Sequence, residues 1–273
     1  MNTKMAQMIT SRDNKLVKFT AKLIASKSFR EEQRLFVLEG ARLCADAAGS
    51  GVQAKLCFFT AQAAEKYPKQ VKAAIACASE SYQVSQAVAP RLSDTKTPQG
   101  LCLVCPMLDK QFFLDKIKST GRYLLLEGLQ DPGNIGTILR SADAFGTDGV
   151  ILTSDCPDFY SPKMIRSTMG AFFRQPVFVV PDAVSCVRAL KAAGQRVFAS
   201  VLDEQAQGLS EVKFSYGSTV VIGNEGRGMS QELIAECTDK VYIEMAGSAE
   251  SLNAAVAASI FLWEMQRQLQ NTK

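Results

Sequence analysis

The chain has 273 residues, of which 47% are hydrophobic and 21% charged, and its formal net charge is +4. This composition is that of a soluble globular protein with one large or two ordinary domains. No apolar run approaches the ~20 residues of a membrane-spanning helix, and the N-terminus lacks the apolar core of a signal peptide, so we expect a cytoplasmic protein.

The first part of the chain, residues 1–106, is predicted to form a small α/β domain, because apolar strands alternate with helical segments. Strands are predicted at 34–40, 55–60, 74–78 and 97–105. Helices are predicted near 13–27, 41–49, 62–66, 68–73 and, broken by Pro90, 85–94. Residues 107–120 are the candidate linker to a second domain, residues 121–273.

The second domain contains apolar runs rich in Val, Ile and Leu, at 123–129, 149–153, 176–180, 196–202, 219–223 and 240–245. Such runs are typical of strands buried on both faces of a mostly parallel sheet. Helices are predicted at 135–145, 161–172, 182–194 and 230–236, and a long amphipathic segment ends the chain. Polar and glycine-rich loops follow several strands at their carboxyl ends, where open α/β sheets bind ligands.

Two residue types limit the chemistry. The absence of histidine excludes Ser-His and Cys-His nucleophilic machinery and any histidine general base. Eight cysteines are scattered through apolar segments, unlike the dense pattern of a secreted disulfide framework. Cys102 and Cys105 form a CxxC, but they lie in a predicted buried strand without a second pair or a histidine. We interpret them as structural thiols and expect no metal.

Basic residues are concentrated at the start of the chain, where residues 1–45 carry nine basic against four acidic side chains. Lys15, Lys18 and Lys22 follow helical spacing, which gathers them on one face. Together with Arg12 they form either a solvated helix face or a surface that contacts phosphates.

The first loop of interest is DPGN, which follows the strand at 123–129. Its composition predicts a tight turn, and Asn134 is the natural N-cap of the helix at 135–145. Arg140 lies beside the apolar rows of that helix. It is either a surface residue with a snorkelling stem or a functional cation.

The second loop is IGNEGRGMS, residues 222–230. Gly223, Gly226 and Gly228 do not form the dinucleotide-binding pattern GxGxxG. Three glycines in six residues nevertheless allow a ligand to approach the backbone closely. Glu225 is placed to cap the loop or to contact a ligand.

The third loop lies within IEMAGSAESLNAAVAAS, residues 243–259. Ser251 is the candidate N-cap of the final helix, which places Asn253 in the first turn. The helix opens with alanines, which allow another backbone to pack close.

Together, the segments LEGLQDPGNIGTILRSADAFG, VVIGNEGRGMS and YIEMAGSAESLNAAVAASIFLWE resemble the three motifs of the SpoU (TrmH-type) RNA ribose 2′-O-methyltransferases of the SPOUT superfamily. The resemblance covers about residues 121–270. The first domain is similar to the substrate-binding domain of many family members, through SRDNKLVK, FVLEGARL and TPQG.

The resemblance implies a C-terminal SPOUT domain with a deep trefoil knot, S-adenosylmethionine bound in a bent form by the knotted loops, and a homodimer through that domain. It places the cofactor on Gly223, Ile243 and Leu252, with Glu225 and Gly228 from the second motif. It assigns the catalytic or substrate-orienting roles to Arg140, Asn134, Ser251 and Asn253. It further suggests that Arg140 serves the partner subunit's cofactor. From their charge and spacing, we predict that Arg12, Lys15, Lys18 and Lys22 bind RNA.

Two departures from the family pattern occur in the third motif. The family often has Pro where this chain has Glu244, and Val-Ser where it has Ala254-Ala255. Glu244 therefore places an acid near the site without an assigned role.

The predicted reaction is methyl transfer from S-adenosylmethionine to a ribose 2′-hydroxyl of RNA. The hydroxyl is a poor nucleophile, so the protein must position it in line and help to remove its proton. Arg140 either acts as the base through contact with an RNA phosphate, or stays cationic and stabilises the developing alkoxide.

Analogy favours 23S ribosomal RNA as the substrate, with transfer RNA as the alternative. A non-catalytic RNA-binding protein of the same fold is the competing interpretation. A nucleotide-binding oxidoreductase is a third, which the missing GxGxxG disfavours.

Overall fold

The computed structural model describes residues 7–108, 117–214 and 217–270. The chain divides into two compact units. The first contains Met1–Leu108 and also Asp158–Phe173, and the second contains Asp109–Pro157 and Arg174–Lys273. The predicted division at 107–120 stays a prediction, because residues 109–116 lie outside the described part of the chain.

The first unit is built on a five-stranded sheet. Its elements are β1 (Gln7–Ile9), α1 (Lys15–Ala25), α2 (Lys27–Gln33), β2 (Leu35–Glu39), α3 (Ala41–Gly49), β3 (Ala54–Phe59), α4 (Ala61–Lys66), α5 (Pro68–Ala76), β4 (Ala78–Val84), a 3-10 turn (Ala89–Leu92) and β5 (Leu101–Pro106). The strand order is β1-β4-β3-β5-β2. β1, β4 and β3 run parallel, whereas β5 is antiparallel to both of its neighbours.

Capping explains where the first helices begin and end. The Oδ1 of Asn14 accepts a hydrogen bond from the Leu16 amide and begins α1. Ser26 ends α1, and its Oγ accepts from the Phe29 amide to begin α2. The single helix predicted at 13–27 is therefore two helices.

Two predictions in this unit are wrong. Residues 74–78 were expected to be a strand, but α5 continues to Ala76 because an alanine-rich run favours helix. The strand of that region is β4, which begins at Ala78. The helix predicted at 85–94 is only a 3-10 turn, since Pro90 cannot donate the hydrogen bond that continues an α-helix.

The segment Asp158–Phe173 packs within the first unit, although it follows the strand at 149–153 in the sequence. The rings of Tyr160 and Phe172 lie 5.1 and 5.5 Å from that of Phe36. Arg30, which is 4% exposed, donates hydrogen bonds to the carbonyls of Leu23 and Ile24 and forms an ion pair with Asp158. A buried charge pair and an aromatic cluster thus bind this segment to the core.

The second unit contains a seven-stranded sheet. The elements from Arg122 onward are β6 (Arg122–Leu126), α6 (Pro132–Ala144), β7 (Gly149–Thr153), α7 (Pro162–Ser167), α8 (Ala171–Arg174), β8 (Val177–Val180), α9 (Ala183–Ala192), β9 (Arg196–Ser200), β10 (Gln207–Gly208), β11 (Ser218–Ile222), α10 (Gln231–Glu236), β12 (Asp239–Tyr242) and α11 (Ala254–Gln270). Of these, α7 and most of α8 belong to the first unit. The predicted helix at 161–172 is divided at Met169 and Gly170, which have φ of 49° and 89°.

The strand order is β10-β12-β9-β11-β6-β7-β8, and all neighbouring strands run parallel. This confirms the predicted α/β class with a mostly parallel sheet. All residues of β7 and β11 are buried, as expected for central strands covered on both faces.

The strand β12 lies between two strands that precede it in the sequence. Ser200 of β9 and Gln207 of β10 both pair with Val241 of β12, and only residues 201–206 join β9 to β10. This short connection therefore passes across β12. A later strand in such a position is compatible with a knot, which itself stays a prediction.

None of the described helices is both long enough and apolar enough to cross a lipid bilayer.

Candidate active site

The three loops singled out in the sequence follow β6, β11 and β12 at their carboxyl ends. β11 is the direct neighbour of β6, and only β9 separates it from β12. Since parallel strands end at one edge of the sheet, these loops emerge side by side.

Helix α6, which follows the first loop, begins earlier than predicted. Asp131, not Asn134, is the N-cap, because its Oδ1 accepts a hydrogen bond of 2.9 Å from the Gly133 amide and Pro132 occupies the first helical position. Asn134 therefore lies in the first turn. Its side-chain amide does not cap the helix and faces the other two loops.

The third loop also has its cap at another residue. Asn253, not Ser251, is the N-cap of α11, since its Oδ1 accepts from the amides of Ala255 (3.0 Å) and Val256 (3.3 Å). Ser251 is exposed and makes no hydrogen bond to any residue that the structure describes.

A chain of polar side chains joins the three loops. The Oδ1 of Asn253 is occupied by the helix, so its Nδ2 donates to the Oδ1 of Asn134 at 2.9 Å. The Nδ2 of Asn134 then donates to the Oε1 of Glu225, also at 2.9 Å. Three of the predicted site residues thus form one hydrogen-bonded network.

Glu225 receives two more donors from the first loop, the amides of Gln130 at 2.9 Å and Asp131 at 3.3 Å. Partial burial raises the pKa of the carboxyl, but the hydrogen bonds from Asn134 and from the Gln130 amide outweigh it, and the net pKa is lowered. Glu225 is therefore an ionised acceptor that holds the first loop against the second.

The second loop is a tight hairpin. Asn224 and Gly228 exchange two backbone hydrogen bonds, of 3.1 and 3.0 Å. A Cβ at residue 223 would lie 2.5 Å from the Met229 amide nitrogen, so only glycine fits there. Gly228 has a φ of 69°, which also favours glycine.

Asn224 was not among the predicted site residues. Its Oδ1 accepts from the amides of Gly226 (2.9 Å) and Arg227 (3.1 Å), and its Nδ2 donates to the Gly128 carbonyl at 2.6 Å. An asparagine within a glycine turn is a sequence signal for such local bonding. Here it also connects two loops.

The third loop offers apolar contacts beside the glycine hairpin. Ile243 follows β12 directly, Leu252 precedes the cap of α11, and both are half-buried. Gly223, Ile243 and Leu252 thus provide backbone groups and apolar side chains around a common edge. The three residues lie at the edge where open α/β sheets bind ligands.

Glu244 has a structural contact. Its Oε1 accepts from both the amide (3.1 Å) and the hydroxyl of Ser210. The Ser210 hydroxyl lowers the pKa of Glu244. A Cβ at Gly208 would lie 2.6 Å from that oxygen, so glycine makes room for the contact. Glu244 ties the loop after β12 to the turn after β10.

Residues 121–263 match the model of the SpoU rRNA Methylase family. The chain belongs to this family. Residues 14–102 match the MRM3-like substrate binding domain.

Similar proteins include a 23S rRNA (guanosine(2553)-2′-O)-methyltransferase of Bacillus subtilis, 32% identical over 95% of this chain and 99% of the relative. An AdoMet-bound rRNA methyltransferase from Sinorhizobium meliloti superposes with a TM-score of 0.84 at 30% identity, covering 97% of this chain and 98% of the other. The SpoU methyltransferase AviRb from Streptomyces viridochromogenes, in complex with AdoMet, gives 0.80 at 28%, covering 94% and 98%.

Arg140, the family's candidate cation, lies outside the polar network. It is exposed and makes no hydrogen bond or ion pair with the described residues. One turn before it, Thr137 lines a groove of about 720 Å³ between α6 and α11. The groove is bordered by Val256, Ile260 and the half-exposed ring of Trp263.

Three of the four predicted RNA-binding cations lie on α1, and the fourth, Arg12, precedes it. Lys15, Lys18 and Lys22 are exposed on α1. The Nζ of Lys18 lies 2.7 Å from Asp13, and that of Lys22 lies 4.1 Å from the centre of the Phe29 ring. The Nε of Arg12 donates to the Ala87 carbonyl at 2.7 Å.

Cys102 and Cys105 are both buried, and burial raises the pKa of each thiol. Within the described ranges, no group of three or more Cys, Asp or Glu side chains is arranged to hold a metal ion.

Proposed function

We propose that this SpoU-family protein is an S-adenosylmethionine-dependent RNA ribose 2′-O-methyltransferase. The observation that carries the proposal is the Asn253–Asn134–Glu225 network, which joins the three family motifs at the ligand edge of a parallel sheet. Full-length similarity to AdoMet-bound methyltransferases supports it.

S-adenosylmethionine, when bound, supplies a methyl group on a positively charged sulfur. Gly223, Ile243 and Leu252 would hold the cofactor, and Gly228 and Glu225 would maintain the shape of the hairpin beside it. The residues at this edge fit such a ligand. Ile243 and Leu252 offer apolar side chains, and the glycines of the hairpin have no side chains that would cover its backbone groups.

Asn134, Asn253 and Ser251 would orient the ribose. The first two are fixed by the network, which restrains them before the RNA arrives. Ser251 is free to rotate toward the substrate. Arg140 would supply positive charge where the 2′-oxygen becomes anionic, or remove its proton with help from an RNA phosphate.

We further infer a homodimer in which Arg140 completes the partner's site. Two observations support this arrangement. Arg140 has no partner among the described residues of its own chain, and it lies one turn from a groove with exposed Val256 and Trp263. Exposed apolar surface of this kind favours association.

The substrate is proposed to be 23S ribosomal RNA in the cytoplasm. The Bacillus subtilis relative is named for 23S rRNA, and the first unit carries the exposed basic face of α1. Transfer RNA is the alternative.

The test compares 2′-O-methyl maps of ribosomal and transfer RNA from cells with and without the gene, followed by methyl transfer from labelled cofactor to the identified RNA. We expect one ribosomal site to disappear. Arg140→Ala should abolish transfer but keep cofactor affinity. Loss of a methyl group from transfer RNA instead would identify transfer RNA as the substrate. Wild-type activity of Arg140→Ala would refute the role of the arginine. The proposed function would be refuted if no methyl group is lost without the gene and no methyl transfer is detected.

A further inference from the structure

The two units differ in charge. The first contains 17 basic and 9 acidic residues, a net charge of +8. The second contains 14 basic and 18 acidic residues, a net charge of −4. A polyanion is therefore attracted to the first unit and repelled by the second.

Acidic side chains are concentrated at the ligand edge of the second unit. Within the second unit, the loops after β6, β7 and β11 carry four carboxylates, those of Glu127, Asp131, Asp155 and Glu225. An RNA phosphodiester beside a ribose at this edge would meet like charge. A cation near the edge would offset this repulsion.

Arg227 is the cation within these loops. It lies in the hairpin after β11, two residues from Glu225. Its Nη2 reaches the carboxylate of Asp155 at 3.5 Å, and this same nitrogen would lie 3.1 Å from a Cβ at Gly128. The guanidinium thus extends across Gly128 toward the loop after β7.

The backbone of Arg227 is fixed. Its amide donates to the Oδ1 of Asn224 at 3.1 Å, inside the hairpin closed by Asn224 and Gly228. The Nδ2 of Asn224 binds the Gly128 carbonyl, which secures the hairpin to the first loop. A cation on a rigid support loses less freedom when it binds.

The charge of Arg227 is only loosely compensated. The side chains of Arg227 and Asp155 are 71% and 54% exposed, and one long contact joins them. Exposed ion pairs of this kind contribute little to stability, because water screens them. The guanidinium has five N–H donors, so most remain available within the part of the chain described.

We propose that Arg227 contacts a backbone phosphate of the substrate RNA next to the target ribose and so positions the nucleotide. This rests on the proposed function. The planar fork of arginine matches the phosphate oxygens and exchanges the weak contact with Asp155 for a charge-assisted one. The first unit then supplies the general attraction for RNA, and Arg227 sets the position of the strand at the reacting edge.

The experiment measures RNA binding and methyl transfer for the wild type, Arg227→Ala, Arg227→Lys and Arg188→Ala. Arg188 is the matched control, because it is 61% exposed and paired with Glu236 in the same unit. We expect Arg227→Ala to raise the KM for RNA about tenfold, the effect of one lost charge-assisted hydrogen bond. The plot of log RNA affinity against log salt concentration should become less steep, its slope decreasing in magnitude by about 0.7–0.9.

The lysine variant should restore the salt slope and part of the affinity. The Kd for S-adenosylmethionine and the melting temperature should be unchanged in Arg227→Ala, and Arg188→Ala should match the wild type in all measurements. A further variant, Asp155→Asn, releases the guanidinium and should leave RNA affinity equal or higher.

The proposal is overturned by an Arg227→Ala variant with wild-type KM and salt slope. It is also overturned if Arg227→Ala loses cofactor affinity or stability to the same extent as RNA affinity. The same holds if Asp155→Asn weakens RNA binding as strongly as Arg227→Ala does, because Arg227 would then only support the loops. Absence of methyl transfer by the wild type would instead contradict the proposed function, and the salt slopes would still report on Arg227.

Discussion

Asn134 and Asn253 are 119 positions apart in the sequence, and a hydrogen bond of 2.9 Å joins their side chains. The orientation of each side-chain amide is fixed by its hydrogen bonds. Asn253 uses its oxygen to cap α11 and its nitrogen to bind Asn134, and Asn134 passes its own nitrogen to Glu225. A single reversed amide would place two donors or two acceptors face to face.

We expect Asn134→Asp to reduce methyl transfer more than Asn134→Ala. The aspartate places a second carboxylate against Glu225, whereas alanine only removes the link. Loss of the link leaves polar partners unsatisfied, at a cost of about 1–3 kcal/mol, or roughly ten- to one-hundredfold in rate. Single-turnover kinetics with labelled cofactor would measure both rates. Equal, wild-type rates for the two variants would contradict a role for the network.

The lowered pKa of Glu225 predicts how its contribution depends on pH. A carboxyl whose folded pKa lies below its unfolded value stabilises the fold fully above the unfolded pKa. That contribution is lost as the pH falls through the lower folded pKa. The difference in unfolding free energy between the wild type and Glu225→Gln should therefore be constant near neutrality and shrink below about pH 4.5, the ordinary value of the group. Denaturant titrations across this range would show it. A difference that grows on acidification would refute the assigned sign.

Two glycines of the hairpin provide a matched pair. Gly223→Ala places a methyl group 2.5 Å from the Met229 amide, so the hairpin must shift, and overpacking of this kind costs about 1–3 kcal/mol. A Cβ at Gly226 would meet nothing closer than 3.7 Å. Calorimetric titration with S-adenosylmethionine should show weaker binding for Gly223→Ala and little change for Gly226→Ala. Equal effects would indicate that close packing at residue 223 is not what shapes the cofactor edge.

The buried pair of Arg30 and Asp158 predicts a large loss of stability. Their side chains are 5% and 16% exposed, so Asp158→Ala leaves a buried guanidinium without its counter-charge. The expected decrease in unfolding free energy is about 3–5 kcal/mol. Glu236→Ala, which removes the partner of two more exposed cations, should change it far less, because water screens exposed ion pairs. Denaturant unfolding measures both, and similar values would contradict the difference in burial.

Local patterns were sufficient to predict six of the seven strands in the sheet of the second unit and the three loops of the candidate site, but the two-residue strand β10 was missed. Val- and Ile-rich runs such as 149–153 matched β7, because continuous apolar runs are typical of buried parallel strands. The caps were harder to predict. Asp131 and Asn134, or Ser251 and Asn253, are all good N-cap residues, and the sequence does not show which begins the helix.

Errors in the first unit have a similar origin. The run AIACA suits a buried strand and a helix end equally well, and only the packing of α5 decides between them. The partly exposed β4 shows no apolar run and was missed. Packing of residues 158–173 in the first unit depends on contacts such as Phe36 with Phe172, which no local pattern encodes.

The position of β12 has a consequence for biosynthesis. Among the strands that the structure describes, β10 pairs only with β12, and β12 is translated after it. Until residues 239–242 have left the ribosome, β10 has no strand to join and the connection 201–206 has nothing to cross. The edge that carries the three loops can therefore assemble only after β12 has been synthesised, and a nascent chain stalled before β12 would contain the first unit without a complete loop edge in the second.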